Sequence, residues 1–193
     1  MNKGNGCRIN AGNVNLQCLF KKLKVYGEFM REQLINKMKN TFGDDTKRIN
    51  HALAVLDFAE EIQVAEGGNL MIVQAAAILH DIGIQEAFKK YGSTAGVHQE
   101  IEGPPIADVI MKSLEIDDET RRHVCLIVGS HHSGDKIDTQ EFRCIWDADW
   151  IVNLSGMYAT WSPEKKQHII KKYFRTEIGK RLARANLGLE QEG

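Results

Sequence analysis

The stretch Met71–Gly83, MIVQAAAILHDIG, decides the fold. It is apolar from Met71 to Leu79 except for Gln74, and it runs directly into the pair His80–Asp81. Val73, Ala76, Ala77 and His80 fall at spacings of three, four and seven, which share one face of an α-helix. The histidine therefore extends the apolar stripe of its own helix. The run is well short of the roughly 18 residues that mark a membrane span, so it reads as a helix buried in a protein core.

Working outward, the same oddity recurs three times. His51 shares a face with Val55, Phe58 and Ile62. His131 continues Val124, Ile127 and Val128, and Asp149 continues Phe142, Ile145 and Trp146. One histidine on an apolar stripe is ordinarily a hydrogen-bonded core residue. A buried carboxylate is harder to place, because an unpaired buried charge costs several kcal/mol. Five such groups, His51, His80, Asp81, His131 and Asp149, must compensate one another, and a metal ion does so efficiently. Neutral imidazoles lend it lone pairs and carboxylates balance its charge.

The remainder of the chain is patterned for helices. They are expected near 25–42, 45–65, 70–82, 105–115, 118–132, 139–157, 163–174 and 176–186. Asp117 or Asp118 caps the fifth, and Ser162–Pro163 opens the seventh. Residues 1–24, rich in Asn and Gly, are expected to be a loosely ordered leader, with residues 25–193 forming a single helical domain. Gln85–Gly103 is expected to be the longest connection and to cover part of a site. Alternating β-branched runs are missing, so the fold class is all-α.

At 193 residues, 42% hydrophobic and 26% charged, the composition is that of an ordinary globular domain. A net charge of −1 argues against a broad basic face for nucleic acid. Cys7, Cys18, Cys125 and Cys144 show no CxxC spacing, which disfavours a zinc ribbon or a redox pair. With neither a secretory signal nor a membrane span, a cytoplasmic location is expected.

His51, then His80–Asp81, then Asp149 is an order that resembles the HD superfamily of metal-dependent phosphohydrolases. The local words fit too: RINHALAV (48–55) looks like its first helix, AAAILHDIG (75–83) like its doublet helix, and IWDADWIVNL (145–154) like its closing segment. The resemblance implies an HD-domain-like helical bundle with the metal site between core helices, and His51, His80, Asp81 and Asp149 on one ion. Asp147 would then point to solvent or to a hydrogen-bonding partner of the site. Binuclear relatives add histidines between the doublet and the final Asp. By that likeness Asp81 bridges two ions, with His98 and His131 on the second and His132 either coordinating or on the surface. The cofactor implied is a divalent transition metal (iron, manganese, cobalt, nickel or zinc), with two ions.

Some features depart from the family. Ile84 stands where a Lys often follows the doublet, the Gly-Tyr-Pro segment of the cyclic dinucleotide branch is missing, and Lys47 occupies the place of a third-metal glutamate. The activity implied is hydrolysis of a small phosphate ester, such as a nucleotide, by a metal-activated water, with His80 and Asp81 at its centre. Arg48, Lys89, Lys90 and Lys136 are candidate phosphate contacts, Arg48 foremost because it lies one turn before His51. Two rivals remain: a di-iron oxygenase of the same helical superfamily, and a ligand-sensing module without catalysis. His123 and His168, set among charged residues, read as solvated surface.

Overall fold

The computed structural model describes residues 16–189, and among them all regular structure is helical. In chain order the helices are α1 (Leu16–Phe42), α2 (Thr46–Glu66), α3 (Leu70–Leu79), α4 (Ile84–Tyr91), α5 (Gly96–Lys112), α6 (Asp118–Val128), α7 (Gln140–Ser155), α8 (Pro163–Tyr173) and α9 (Glu177–Leu187). The all-α expectation holds.

The apolar run that ends in His80–Asp81 lies at the centre. Every residue of α3 from Ile72 to Leu79 is buried, as a helix apolar on all sides must be. α2 packs most extensively on α7 and α3, while α1 and α6 close the other flanks of α3. α2 contributes the buried stripe Ala52, Val55, Leu56, Ala59 and Ile62, and α7 contributes Phe142, Ile145, Ile151 and Leu154. Gln74, the one polar residue of the run, is satisfied by donating to Glu60 Oε1 at 2.7 Å. The same carboxylate accepts from Arg31 Nε at 2.8 Å, so a single polar chain ties α1, α2 and α3 together. The caps fall where side-chain oxygens are at hand: Asp45 on α2, Asn69 on α3, Asp117 on α6, Thr139 on α7 and Ser162 on α8.

Several expectations about elements need correction. α1 begins at Leu16, so residues 16–24, placed in the leader, are helical; Cys7 and the rest of 1–15 lie outside the described residues. The supposed long connection 85–103 is mostly helix, holding α4 and the first half of α5. α4 is only eight residues long, buries just Ile84 and Ala87 fully, and leaves Phe88 and Tyr91 exposed. The helix expected near 105–115 begins at Gly96, so Pro104 and Pro105 sit inside α5. Pro105 and Ile101 lie on an exposed face, where water can serve carbonyls that proline leaves unpaired. α3 and α6 stop at Leu79 and Val128, so His80–Asp81 and His131–His132 occupy the turns just beyond their helices.

None of the helices in the described residues is long and apolar enough to cross a membrane.

Candidate metal centre

Four elements deliver the polar groups to one place. His80 is the C-cap of α3 and Asp81 follows it. Gly83 is required at this turn: a Cβ there would come 2.5 Å from Gly103 N and 2.9 Å from Gln99 O, because the α5 backbone crosses directly over it. His51 lies in the second turn of α2, whose first turn is fixed by Asp45 accepting from Arg48 N at 3.1 Å. Asp149 projects from the middle of α7, the main packing partner of α2. His131 leaves the turn after α6.

The four ligands implied for one ion converge. His51 Nε2 lies 3.2 Å from His80 Nε2 and 3.0 Å from Asp149 Oδ1. His80 Nε2 is 3.7 Å from Asp149 Oδ1. Asp81 Oδ2 faces both rings, at 3.7 Å from His51 Nε2 and 3.6 Å from His80 Nε2. The other oxygen of Asp81, Oδ1, faces away from them toward His131 Nε2 at 3.5 Å. His51, His80 and Asp81 form one group able to grip a cation, and Asp81, His131 and His132 form a second. One carboxylate thus presents one oxygen to each.

The protonation pattern explains why a cation fits. His80 Nδ1 lies 2.8 Å from the carbonyl of Ala77, and His131 Nδ1 lies 2.7 Å from that of Val128. A carbonyl can only accept, so each Nδ1 carries a proton, and whenever the ring is neutral its Nε2 lone pair points into the cluster. There the lone pairs meet carboxylate oxygens, and such a pairing repels unless positive charge sits between them. Asp149 Oδ1 and His131 Nε2 are buried without a hydrogen-bond partner among the described residues. With metal–ligand bonds of about 2.1 Å, neighbouring donors around an ion sit about 3.0–3.5 Å apart, close to the spacings found. Two histidines and two carboxylates, followed by two histidines sharing one of those carboxylates, suit a divalent transition ion in each group.

The same demand for positive charge shows in the ionisation of the cluster. Burial pushes the Asp81 carboxyl up, but the facing His80, His131 and His51 rings outweigh it and hold it well below the usual range. Burial likewise raises Asp149, and His51 and His80 overcome it to lower it. Burial alone prevails at His80, which is lowered, whereas the carboxylates beside His51 and His131 override burial and raise those two.

A cavity of about 660 Å³ opens over the cluster, with His51, Asp81, His131 and Asp149 among the groups that line it. Lys47, Arg48 and Asn50 from α2 line one part of it, and Trp146, Trp150 and Tyr158 another. Trp150 and Tyr158 are roughly parallel, with ring centroids 6.1 Å apart. This aromatic wall lies outside the sequence expectations; its one local signal is that Trp150 adjoins Asp149.

Other site expectations are redistributed. His98 does not join the second group: its ring stacks on Tyr91 at 4.1 Å and 12°, on the α4 side of α5. His132 takes that place, its ring 4.0 Å from that of His131 and its main-chain N–H donating to Glu100 Oε1 at 3.0 Å. Lys90 is paired with Glu102 at 2.6 Å and Lys136 points to the carbonyl of Gly129, and neither lines the cavity. Lys89 pairs with Glu86. Arg48 alone of the four candidates lines it. His123 is half-buried and lies 2.8 Å from Thr139 Oγ1, while His168 is exposed.

Asp147 does not reach solvent. It is wholly buried and accepts from Arg175 N at 2.8 Å, Thr176 N at 2.8 Å and Thr176 Oγ1 at 2.7 Å. Burial pushes its carboxyl up to about 6, while the three donors converging on it favour the ionised form. Three donors converge on two oxygens, and an amide offers only one acceptor. Asp147→Asn is therefore expected to lose about 2–3 kcal/mol of stability in denaturant unfolding, with metal content per folded chain unchanged. A variant that binds less metal at full stability would place Asp147 in the site instead.

Comparison with known proteins agrees with this architecture. Residues 48–154 match the family model described as the HD domain. Among solved structures, a predicted HD superfamily hydrolase from an uncultured Thermotogales bacterium is 22% identical, with a TM-score of 0.59 over 81% of this chain and 84% of that one. An HD-superfamily hydrolase from Bacillus thuringiensis is 19% identical, with a TM-score of 0.58 over 84% and 91%. At these identities the likeness is one of fold. No curated protein matches significantly.

Proposed function

We propose that this chain, which belongs to the HD domain family, is a metal-dependent phosphohydrolase acting on a small phosphate ester, a nucleotide among the candidates. The observation that carries the reading is the Asp81 carboxylate, with Oδ2 turned to His51 and His80 and Oδ1 to His131. That arrangement suits two ions sharing one bridging group. His51, His80, Asp149 and Asp81 would hold one ion, and Asp81, His131 and His132 the other.

When bound, divalent ions here supply an activated water at neutral pH and draw charge from phosphoryl oxygens. The protein's own groups do the remainder. The carbonyls of Ala77 and Val128 fix the tautomer and direction of His80 and His131, so their donor atoms are set in place beforehand. Arg48 and Lys47, at the cavity wall, are placed to bind the ester's anionic oxygens. Trp150 and Tyr158, in a row of stacked rings with Tyr173 and Trp161, give the cavity an aromatic wall that packs against the ester's organic portion and excludes water from it.

The test is phosphate release from a panel of small esters by apo protein reloaded separately with manganese, cobalt, nickel, zinc or iron, run in parallel under argon and in air. Release of inorganic phosphate without oxygen is the expected result. Product formation that requires iron and consumes oxygen would replace the reading with an oxygenase; tight ester binding without turnover under any metal would replace it with a sensor.

A further inference from the structure

Arg175 lies in the short link between α8 and α9, beyond the stretch that matches the family model, and it does not line the cavity. Its guanidinium nevertheless touches the loop that follows His131–His132 and the helix that carries Asp149. Nη2 donates to the carbonyl of Gly134 at 3.0 Å and Nη1 to Asp138 Oδ1 at 3.0 Å, both in the loop that comes after His131–His132. The same group lies over the rings of Trp146, at 4.6 Å, and Phe142, at 4.9 Å, on α7. Trp146 is one turn before Asp149. The Arg175 main-chain N–H is held in turn by Asp147 on that helix.

We propose that Arg175 is a positioning residue: it clamps the His131–His132 turn against α7 and so sets the grip of the Asp81–His131–His132 group on its ion. Gly134 shows how tight the clamp is. Its φ is +64°, and a Cβ there would lie 2.6 Å from Arg175 Nη2 and 2.6 Å from the Trp146 ring. The turn is pinned on its opposite side by Glu100, which accepts from His132 N at 3.0 Å and Ser133 N at 2.7 Å. Arg175 and Glu100 thus hold the two histidines between α7 and α5. Without the guanidinium, the carbonyl of Gly134 loses its donor, and the loop keeps its hold on α7 only farther along, where Arg143 binds Asp138 at 2.7 Å. The group formed by His51, His80 and Asp149 makes no direct contact with Arg175, and α7, which carries Asp149, keeps its main packing on α2, so the loss should fall chiefly on the other group. A lysine could keep the charge but not donate to Gly134 and Asp138 together while lying flat on Trp146.

The proposal rests on the two-ion reading of the site, and the experiment separates their failures. Apo protein is titrated with cobalt(II), followed by visible absorption and calorimetry, for the wild type, Arg175→Ala, Arg175→Lys and Gly134→Ala. The wild type should take up two ions. Arg175→Ala should weaken one of them by about tenfold or more and leave the other unchanged, with Arg175→Lys between, Gly134→Ala alike, and methylguanidinium restoring the lost affinity. Should Arg175→Ala not fold, Arg175→Lys with its intermediate affinity and Gly134→Ala carry the test. Two ions bound as tightly in every variant, or both weakened equally, would overturn the role given to Arg175. A wild type that takes up one ion would overturn the two-ion reading and this proposal with it, and one that takes up none would overturn the metal site altogether.

Discussion

Asp81→Asn is expected to empty both halves of the metal centre together, while the apo protein still folds. Each of the two candidate groups uses one oxygen of this carboxylate, Oδ2 for His51 and His80 and Oδ1 for His131. The amide has nearly the same shape, so packing at a position only 6% exposed is kept. It brings no negative charge, and one of its two ends is a donor that repels a cation. Ion binding supplies several kcal/mol of transition-state stabilisation, and about 1.4 kcal/mol is worth tenfold in rate, so phosphate release should fall by about a thousandfold or more. Elemental analysis and the melting curve of the apo form check the two parts of the expectation. Asp81→Asn protein with two tightly held ions would remove Asp81 from the bridging position.

His131→Ala should separate the two ions that Asp81→Asn loses together. His131 Nε2 approaches Asp81 Oδ1 and not the His51 side, and its ring is held in place by Val128 O. The variant should retain one ion per chain, on His51, His80, Asp81 and Asp149, and lose most of its activity, because the remaining ion lacks its partner at the shared carboxylate. His51→Ala should do the converse and weaken the other ion. Stoichiometry from elemental analysis, measured on both variants, decides the matter. Loss of both ions in each variant, or of neither, would show that the two groups do not act as separate sites sharing Asp81.

The residues that could be placed from sequence were those whose surroundings are set within one helix. His51, His80, His131 and Asp149 each follow an apolar stripe at helical spacing, and a stripe that packs must carry its fourth residue inward with it. Asp149 could be preferred to Asp147 on that ground, and it is Asp149 that faces His51. His98 depended on something the local pattern does not contain: whether residues 85–103 are loop or helix. α4 spans only two turns and two prolines sit inside α5, so neither helix announces itself over a long stretch, and a ring assigned to a covering loop instead stacks on Tyr91 from a helix. The role of Asp147 was likewise hidden, because its donors come from Arg175 and Thr176, 28 and 29 positions later. The cavity wall shares this character: Lys47, Trp150 and Tyr158 meet only because α2 packs on α7 and the chain turns back after Gly156.

The dependence of α7 on residues 173–176 also fixes where this protein can be divided. The match to the family model ends at residue 154, yet three polar attachments of α7 lie beyond it: Trp146 Nε1 donates to the carbonyl of Tyr173 at 2.9 Å, and Asp147 receives Arg175 and Thr176. Excised at the boundary of that likeness, the bundle would retain its cluster of histidines and aspartates but would leave a buried carboxylate without a donor and one flank of α7 bare to water. The stretch that matches the family model and the stretch that satisfies the buried groups of α7 are thus different lengths of this chain, and α8 and α9 belong to the second.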